Sequence, residues 1–488
     1  MRGICVALAV WAVGGAAMAQ PSPAADTADR YRPLLHFSPR QHWINDPNGM
    51  VYHKGVYHLF FQHYPQGTTW GPMHWGHATS TNLVHWQEQS IKLFPDSLGY
   101  IFSGSAVADV HHTSGFGQPG DTPLVAIFTH HNPLTEKRGR NFQYQSLAYS
   151  LDDGATWHKY VANPVLADSN SSDFRDPKVF WYAPQRKWIM TLATKDCISF
   201  YSSPNLRQWQ FESVFGKTAG AHGGVWECPD LVEMDLNGQQ YWVLIVNLNP
   251  GAPNGGSGTQ YFVGRFDGHQ FTPLHTDTRW MDHGPDNYAG VTWSNTGRQR
   301  LLIGWMSNWD YANQVPTGSW RNAMTVARQL SLQVVGKEVY LRSVPVQQLQ
   351  QQWQWQAAGK AGTRPLPGSR AYTLRWQWST GQSDSVVLRN AAGEQVTIGY
   401  DAASGQLYLD RTKAGRSDFH PSFARRATAP LLRRPARLGL QLIVDACSLE
   451  LFADDGLTVL TSLVFPTQPY TQLLQAPPGL QVGLPQKP

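Results

Sequence analysis

Short apolar and alternating runs organise this chain, and the spacing of amphipathic helices is almost absent. MVYHKGVYHLFFQHY (50–64), SGSAVAD (103–109), LVAIFTH (124–130), YQSLAYS (144–150), KWIMTLAT (187–194), QYWVLIVNLN (240–249) and RQRLLIGWMS (298–307) each read as strands. Gly, Pro, Asn and Asp separate them at short intervals, which predicts an all-β protein with many tight turns. A loose repeat runs through this half: TSTNLVHWQE (79–88), YSLDDGATWHKY (149–160), YSSPNLRQWQF (201–211) and GRFDGHQF (264–271) each pass from a strand through a polar turn to an aromatic, namely Trp86, Trp157, Trp209 and Phe271. Repeats of this length with several strands per unit suggest propeller blades, with a large β-sandwich as the alternative.

The pattern changes near residue 345. VPVQQLQQQWQWQAAGK (344–360) is Gln-rich and reads as a connector, giving a linker over 346–358. Alternating strands then resume in AYTLRWQW, SVVLRN, EQVTIGY, RLGLQLIVD, SLELFAD and TVLTSLVF, which predicts a β-sandwich over 359–488. The first domain is set at 36–345. At the N-terminus, Arg2, an apolar run over 4–18 and Ala17-Met18-Ala19 predict a cleavable signal peptide over 1–19, followed by a disordered leader over 20–35. The expected location is therefore secreted or periplasmic, and no later stretch reads as a membrane span.

Composition narrows the chemistry. The net charge is +5, but no run of Lys or Arg suggests binding to nucleic acid. Cys197, Cys228 and Cys447 have neither disulfide nor zinc spacing and read as buried small residues. The His pairs at 111–112 and 130–131 lack partners at ligand spacing and read as surface loops; no metal or organic cofactor is expected. Asn170-Ser171-Ser172 is a formal glycosylation acceptor. The 20 Trp are unusual, and flat sugar faces stack well on such rings, although core packing accounts for most of them.

Three carboxylates stand in similar settings: Asp46 in WINDPNG, Asp176 in FRDP and Glu227 in WECPD. A proline follows each within two residues and restricts the backbone beside it. Asn-Asp-Pro-Asn-Gly is also a strong turn signal, and Asp176 could simply pair with Arg175. Glycosidic bond cleavage needs carboxylates that are distant in sequence and convergent in space, which the inner strands of a propeller supply.

HFSPRQHWINDPNGMVY (36–52), FRDPKVF (174–180) and WECPDL (226–231), in this order, resemble the signature blocks of glycoside hydrolase family 32, the retaining β-fructosidases. The resemblance covers about 36–330 and resumes at ELFADDGLTVLTSLVFP (450–466). It implies a five-bladed β-propeller followed by a β-sandwich. It implies Asp46 as nucleophile, Glu227 as general acid/base and Asp176 as transition-state stabiliser. It also implies Asn45, Gln62, Trp70, Phe102, Ser103, Arg175 and Trp309 as sugar ligands, with Trp305 a weaker candidate for the role of Trp309. The stretch 281–330 looks most like bacterial levanases and exo-inulinases. The implied activity is exo-acting hydrolysis of terminal β-D-fructofuranosyl units from levan, and from inulin and sucrose, releasing fructose. Alternatives are an invertase restricted to sucrose and short oligomers, a levanbiose-releasing levanase, a fructosyltransferase and a lectin-like propeller without catalysis. The expected partner is a fructan or sucrose substrate, with no nucleic acid or membrane; oligomeric state is not readable.

Overall fold

The protein is described from a computed structural model that covers residues 30–139, 142–168, 171–357 and 361–486. Five largely antiparallel sheets form the first domain, each with one strand against the central axis. These innermost strands are β1 (His42–His53), β2 (Tyr100–Ala108), β3 (Arg175–Tyr182), β4 (Val225–Leu236) and β5 (Tyr288–Thr292). Each touches the next, and β5 touches β1, so the blades close into a ring. The closure is non-covalent: Trp320–Arg321 pairs in parallel with the start of β1, and Ser294 bridges Val51. The four aromatics of the sequence repeat open or immediately precede the outermost strands of successive blades, at Gln87–Glu88, His158–Lys159, Gln210–Phe215 and Phe271–Pro273. This is a five-bladed propeller, and the large-sandwich alternative is excluded for this half.

All five inner strands are irregular near the same end of the axis. Pairing with the neighbouring strand shifts register between Ile44 and Pro47, Ile101 and Gly104, Arg175 and Lys178, Glu227 and Asp230, and Tyr288 and Val291. Such bulges leave residues outside the ladder and re-aim their side chains. Pro177 and Pro229 lie within two of the shifts, where a residue without an N–H breaks no ladder bond, and Pro47 ends a third, opposite Phe61. The Asn-Asp-Pro-Asn-Gly stretch, expected as a turn, therefore lies inside β1 as a bulged segment. Gly49 allows a second shift there: its φ is +53°, and a Cβ would meet the Trp75 ring at 2.6 Å.

The second domain packs two six-stranded sheets over an apolar core that includes Leu374, Trp376, Trp378, Ile398, Leu442 and Leu460. Two boundary expectations are corrected. Residues 353–357 are not linker: β6 (Trp353–Ala357) pairs antiparallel with β9 (Gln481–Pro485), because its Trp-Gln alternation buries Trp353 and turns Gln354 outward. Residues 30–35 are not a loose leader: Tyr31 is buried edge-on against Phe465, and the amides of Leu34 and Leu35 donate to the Asp445 carboxylate. The expected signal peptide, the leader up to residue 29 and Asn170 lie outside the described residues.

Charge pairs with no access to solvent join the domains. Arg328 of the last blade bonds Asp282 at 2.9 Å and Glu450 at 2.5 Å, with all three side chains buried. Glu450 lies on β7 (Ser448–Ala453), and the adjacent β8 (Thr458–Leu463) supplies Thr461 to both Arg328 and Asp282. His36 bridges Asp445 and Glu450, each at 2.7 Å. Burial alone would discharge His36, but the two carboxylates hold its pKa up at about 9, and Arg328 and His36 hold Glu450 down at about 2 against its own burial.

The sign of each shift sets a stability window. His36 contributes fully below its ordinary value of 6.5 and loses its contribution as pH rises towards 9. Glu450 contributes fully above 4.5 and loses its contribution as pH falls towards 2. Tm is expected to be highest between these limits, and His36→Gln should lower it there and flatten the alkaline decline; an unchanged alkaline limb would refute the role of His36. Arg328→Met leaves buried Asp282 without its cation and Glu450 with His36 alone, and should cost roughly 3–5 kcal/mol in denaturant unfolding.

Candidate active site

The bulges aim the three carboxylates at one another. Asp176 has a φ of 65° and Cys228 one of 44°, left-handed conformations that non-glycine residues adopt only when the surroundings hold them. The Asp176 amide donates to Thr129 Oγ1 at 3.0 Å, and Thr129 in turn donates to Gln145. The Cys228 amide donates to Asp176 Oδ2 at 3.0 Å, and its carbonyl accepts from Asn247. The Cys228 thiol lies 3.6 Å from Asp46 Oδ2 and 3.7 Å from Asp176 Oδ2. Glu227 precedes it, so one buried residue touches two carboxylates and is bonded to the third.

Each acid has its own partners. Asp46 Oδ2 accepts from Ser103 Oγ at 2.6 Å and Oδ1 from Asn45 Nδ2 at 2.9 Å. Burial pushes its pKa up; the Ser103 hydroxyl opposes this, and the charge of Glu227 adds to it. Asp176 is raised chiefly by burial, with Arg175 opposing and Glu227 and Asp46 adding to the rise. Glu227 Oε1 accepts from Arg175 Nε at 3.2 Å and Nη2 at 3.0 Å, and Oε2 accepts from the Tyr288 hydroxyl. Arg175 is itself gripped by Asp173. Despite its burial, the surrounding carboxylates drive its pKa up, so it remains a fixed cation. The Cys228 thiol is pushed well up by burial and by the three acids, so it stays a neutral, weak donor.

An aromatic shell surrounds these groups. Trp43 Nε1 donates to Asn45 Oδ1 at 2.8 Å, which fixes the amide that holds Asp46. Trp309 stacks on Trp43 at 6.0 Å, whereas Trp305 is fully buried beneath both and presents no face to a ligand. Phe102 stacks on His131 at 4.3 Å, and Trp70, 41% exposed, meets the Phe102 edge. Gln62 lies among the buried residues and donates to Asn48 Oδ1 at 2.7 Å. Asn45, Ser103 and Arg175 thus contact the carboxylates directly, Trp70, Phe102 and Trp309 form the shell, and Gln62 acts on its neighbour Asn48.

Sequence reasoning missed several members. Tyr288 lay in none of the three signature blocks, Trp43 and Asn48 lay in the first of them without a role, and Cys228 was taken as ordinary core. Its place directly after Glu227 was the available signal. The 130–131 His pair is corrected: both residues are buried at the end of a strand, His130 bonded to Ser146 and His131 beneath Phe102. Among the described residues no cluster of three or more His, Cys, Asp or Glu side chains is arranged to hold a metal ion.

A levanase of Bacillus subtilis is 44% identical over 473 residues, spanning 92% of this chain and 69% of that protein. An extracellular exo-inulinase of Aspergillus niger is 41% identical, spanning 90% of each. The crystal structure of the Aspergillus awamori exo-inulinase superposes with a TM-score of 0.86 at 37% identity, covering 93% of this chain and 97% of that one. The β-fructofuranosidase of Schwanniomyces occidentalis, complexed with fructosyl-erythritol, superposes with a TM-score of 0.85 at 33% identity, covering 94% and 99%. The profile of the glycosyl hydrolases family 32 N-terminal domain matches residues 36–343 and that of the family 32 C-terminal domain residues 341–476, so the chain belongs to glycosyl hydrolase family 32.

Proposed function

We propose that the protein is an exo-acting, retaining fructan β-fructosidase that releases fructose from levan, and from inulin and sucrose. The observation that carries this is the meeting of Asp46, Asp176 and Glu227 around Cys228 at one end of the propeller axis. Asp46, held by Ser103 and Asn45, attacks C2 of the terminal fructosyl unit. Glu227 gives its proton to the departing oxygen and then takes one from the water that opens the fructosyl–enzyme ester; two inversions give net retention. Asp176, fixed by the Cys228 amide and turned away from the ladder, accepts hydrogen bonds from fructosyl hydroxyls as charge develops on the ring. The Arg175 cation lies against Glu227 and near Asp176.

Exo action is supported by the relatives and by the rim of the site. The Trp70 amide donates to Asn313 Oδ1 at 2.8 Å, so loops of the first and last blades meet beside Phe102 and Trp309. A rim closed on that side favours entry of a chain end over passage of a continuous polymer. Export belongs to the same proposal, since the Aspergillus niger relative is an extracellular enzyme. An intact acid set disfavours a lectin-like propeller.

Product analysis on levan, inulin and sucrose side by side is the direct test. Steady release of fructose from levan is expected, with Glu227→Gln lower by roughly 10²–10⁴ in rate. Release from sucrose alone would move the assignment to invertase, and a ladder of oligomers would mean endo-cleavage or transfer. Full activity in Glu227→Gln would overturn the acid/base role. Ser103→Ala removes a donor to the attacking carboxylate, and the acidic limb of kcat/KM should move up by about one pH unit. An unmoved limb would mean that Ser103 does not tune Asp46.

A further inference from the structure

The inner strands also build a second cavity, beyond the catalytic carboxylates along the axis. It measures about 360 Å³, within the roughly 300–1,000 Å³ typical of small-molecule sites. Lys178 and Trp181 follow Asp176 along β3, and Asp230 and Glu233 follow Glu227 along β4, so Trp181 lies roughly 15 Å from Asp176 at the rise of a β-strand. The floor is polar. Asp230 is fully buried; its Oδ2 accepts from Thr292 and Lys178, while its Oδ1 has no partner. A carboxylate oxygen buried without a donor is costly, and Asp230 stands in the wall of this cavity.

The rest of the lining indicates what that is. Trp181 is half-buried and braced by His111 at 4.5 Å and Trp188 at 5.1 Å, a rigid aromatic wall. Arg300 spends Nε and Nη1 on backbone carbonyls, and no bond to Nη2 is found among the described residues. Two cations, Lys178 and Arg300, stand against two carboxylates, Asp230 and Glu233, so the lining favours a neutral ligand. Hydroxyl donors for the carboxylates, an acceptor for Arg300 and an apolar face for Trp181 together describe a sugar ring.

We propose that this cavity is a second sugar site, taking one neutral fructofuranosyl unit at the end of the axis opposite the catalytic pocket. The identity of the sugar rests on the activity proposed above; the unit is either free fructose or the end of a fructan chain. The test is ¹⁹F NMR of the full chain labelled with fluorotryptophan, the Trp181 resonance being assigned by its loss in Trp181→Phe. Fructose is titrated into the wild type, and levanbiose into Asp46→Ala to prevent turnover. A saturable shift of the Trp181 resonance is expected, its midpoint rising about tenfold in Glu233→Gln through loss of a charged acceptor. A shift with fructose alone identifies the free product, and a shift with levanbiose alone identifies the chain end. A Trp181 resonance that stays fixed while that of Trp309 moves would overturn the proposal and leave the catalytic assignment standing. A fixed Trp181 resonance with no fructose released from levan, inulin or sucrose would overturn both.

Discussion

The structure depends on one repeated backbone irregularity. A regular inner strand would point alternate side chains along a fixed pleat, and no three carboxylates from three blades would share a centre. A bulge in every inner strand breaks that pleat near one end of the axis. The left-handed residues Asp176, Cys228 and Ala289 lie within three of these bulges. Such conformations are unfavourable for L-residues, and here the hydrogen bonds of Thr129 and Asn247 hold two of them in place. The prolines of the DP and ECP motifs occupy positions where the ladder is already broken, so they stiffen the bulge without removing a pairing bond.

Concentrating three acids in a half-buried space creates an electrostatic problem that the site solves asymmetrically. Arg175 lies against Glu227 and near Asp176, while among the described residues the side-chain donors to Asp46 are neutral, namely Ser103, Asn45 and the Cys228 thiol. Neutral donors orient the Asp46 carboxylate without neutralising its charge. Asp46 and Glu227 thus differ by environment as well as by residue type. Cys228 suits its place because it is small, apolar enough to be buried and able to donate only weakly.

The β-sandwich is joined to the catalytic ring through charge. Thr461 and Glu450 reach Asp282 and Arg328 of the last blade, and Arg411 reaches Asp286 and Tyr311. These groups are fully buried, so separating the domains would leave charges without their partners. The last blade, which supplies Tyr288 to Glu227 and Trp309 to the aromatic shell, is therefore braced from outside the propeller.

Much of this was legible in the linear chain. Alternation and turn residues determine an all-β protein in two parts, because strand periodicity is a local property, and the recurrent aromatics mark blade edges for the same reason. The motifs around Asp46, Asp176 and Glu227 mark three candidate carboxylates because they stand in similar settings and resemble the family's signature blocks. The linear chain misleads where local and tertiary demands differ: Asn-Asp-Pro-Asn-Gly reads as a turn but is held in a strand by pairing on its far side, and 30–35 reads as loose until Asp445 is brought to its amides. Tyr288 on Glu227, Cys228 between two acids, and Lys178 against Asp230 join residues from different blades. Only the tertiary structure decided them, because closure of the ring, not any local preference, sets which side chains meet on its axis.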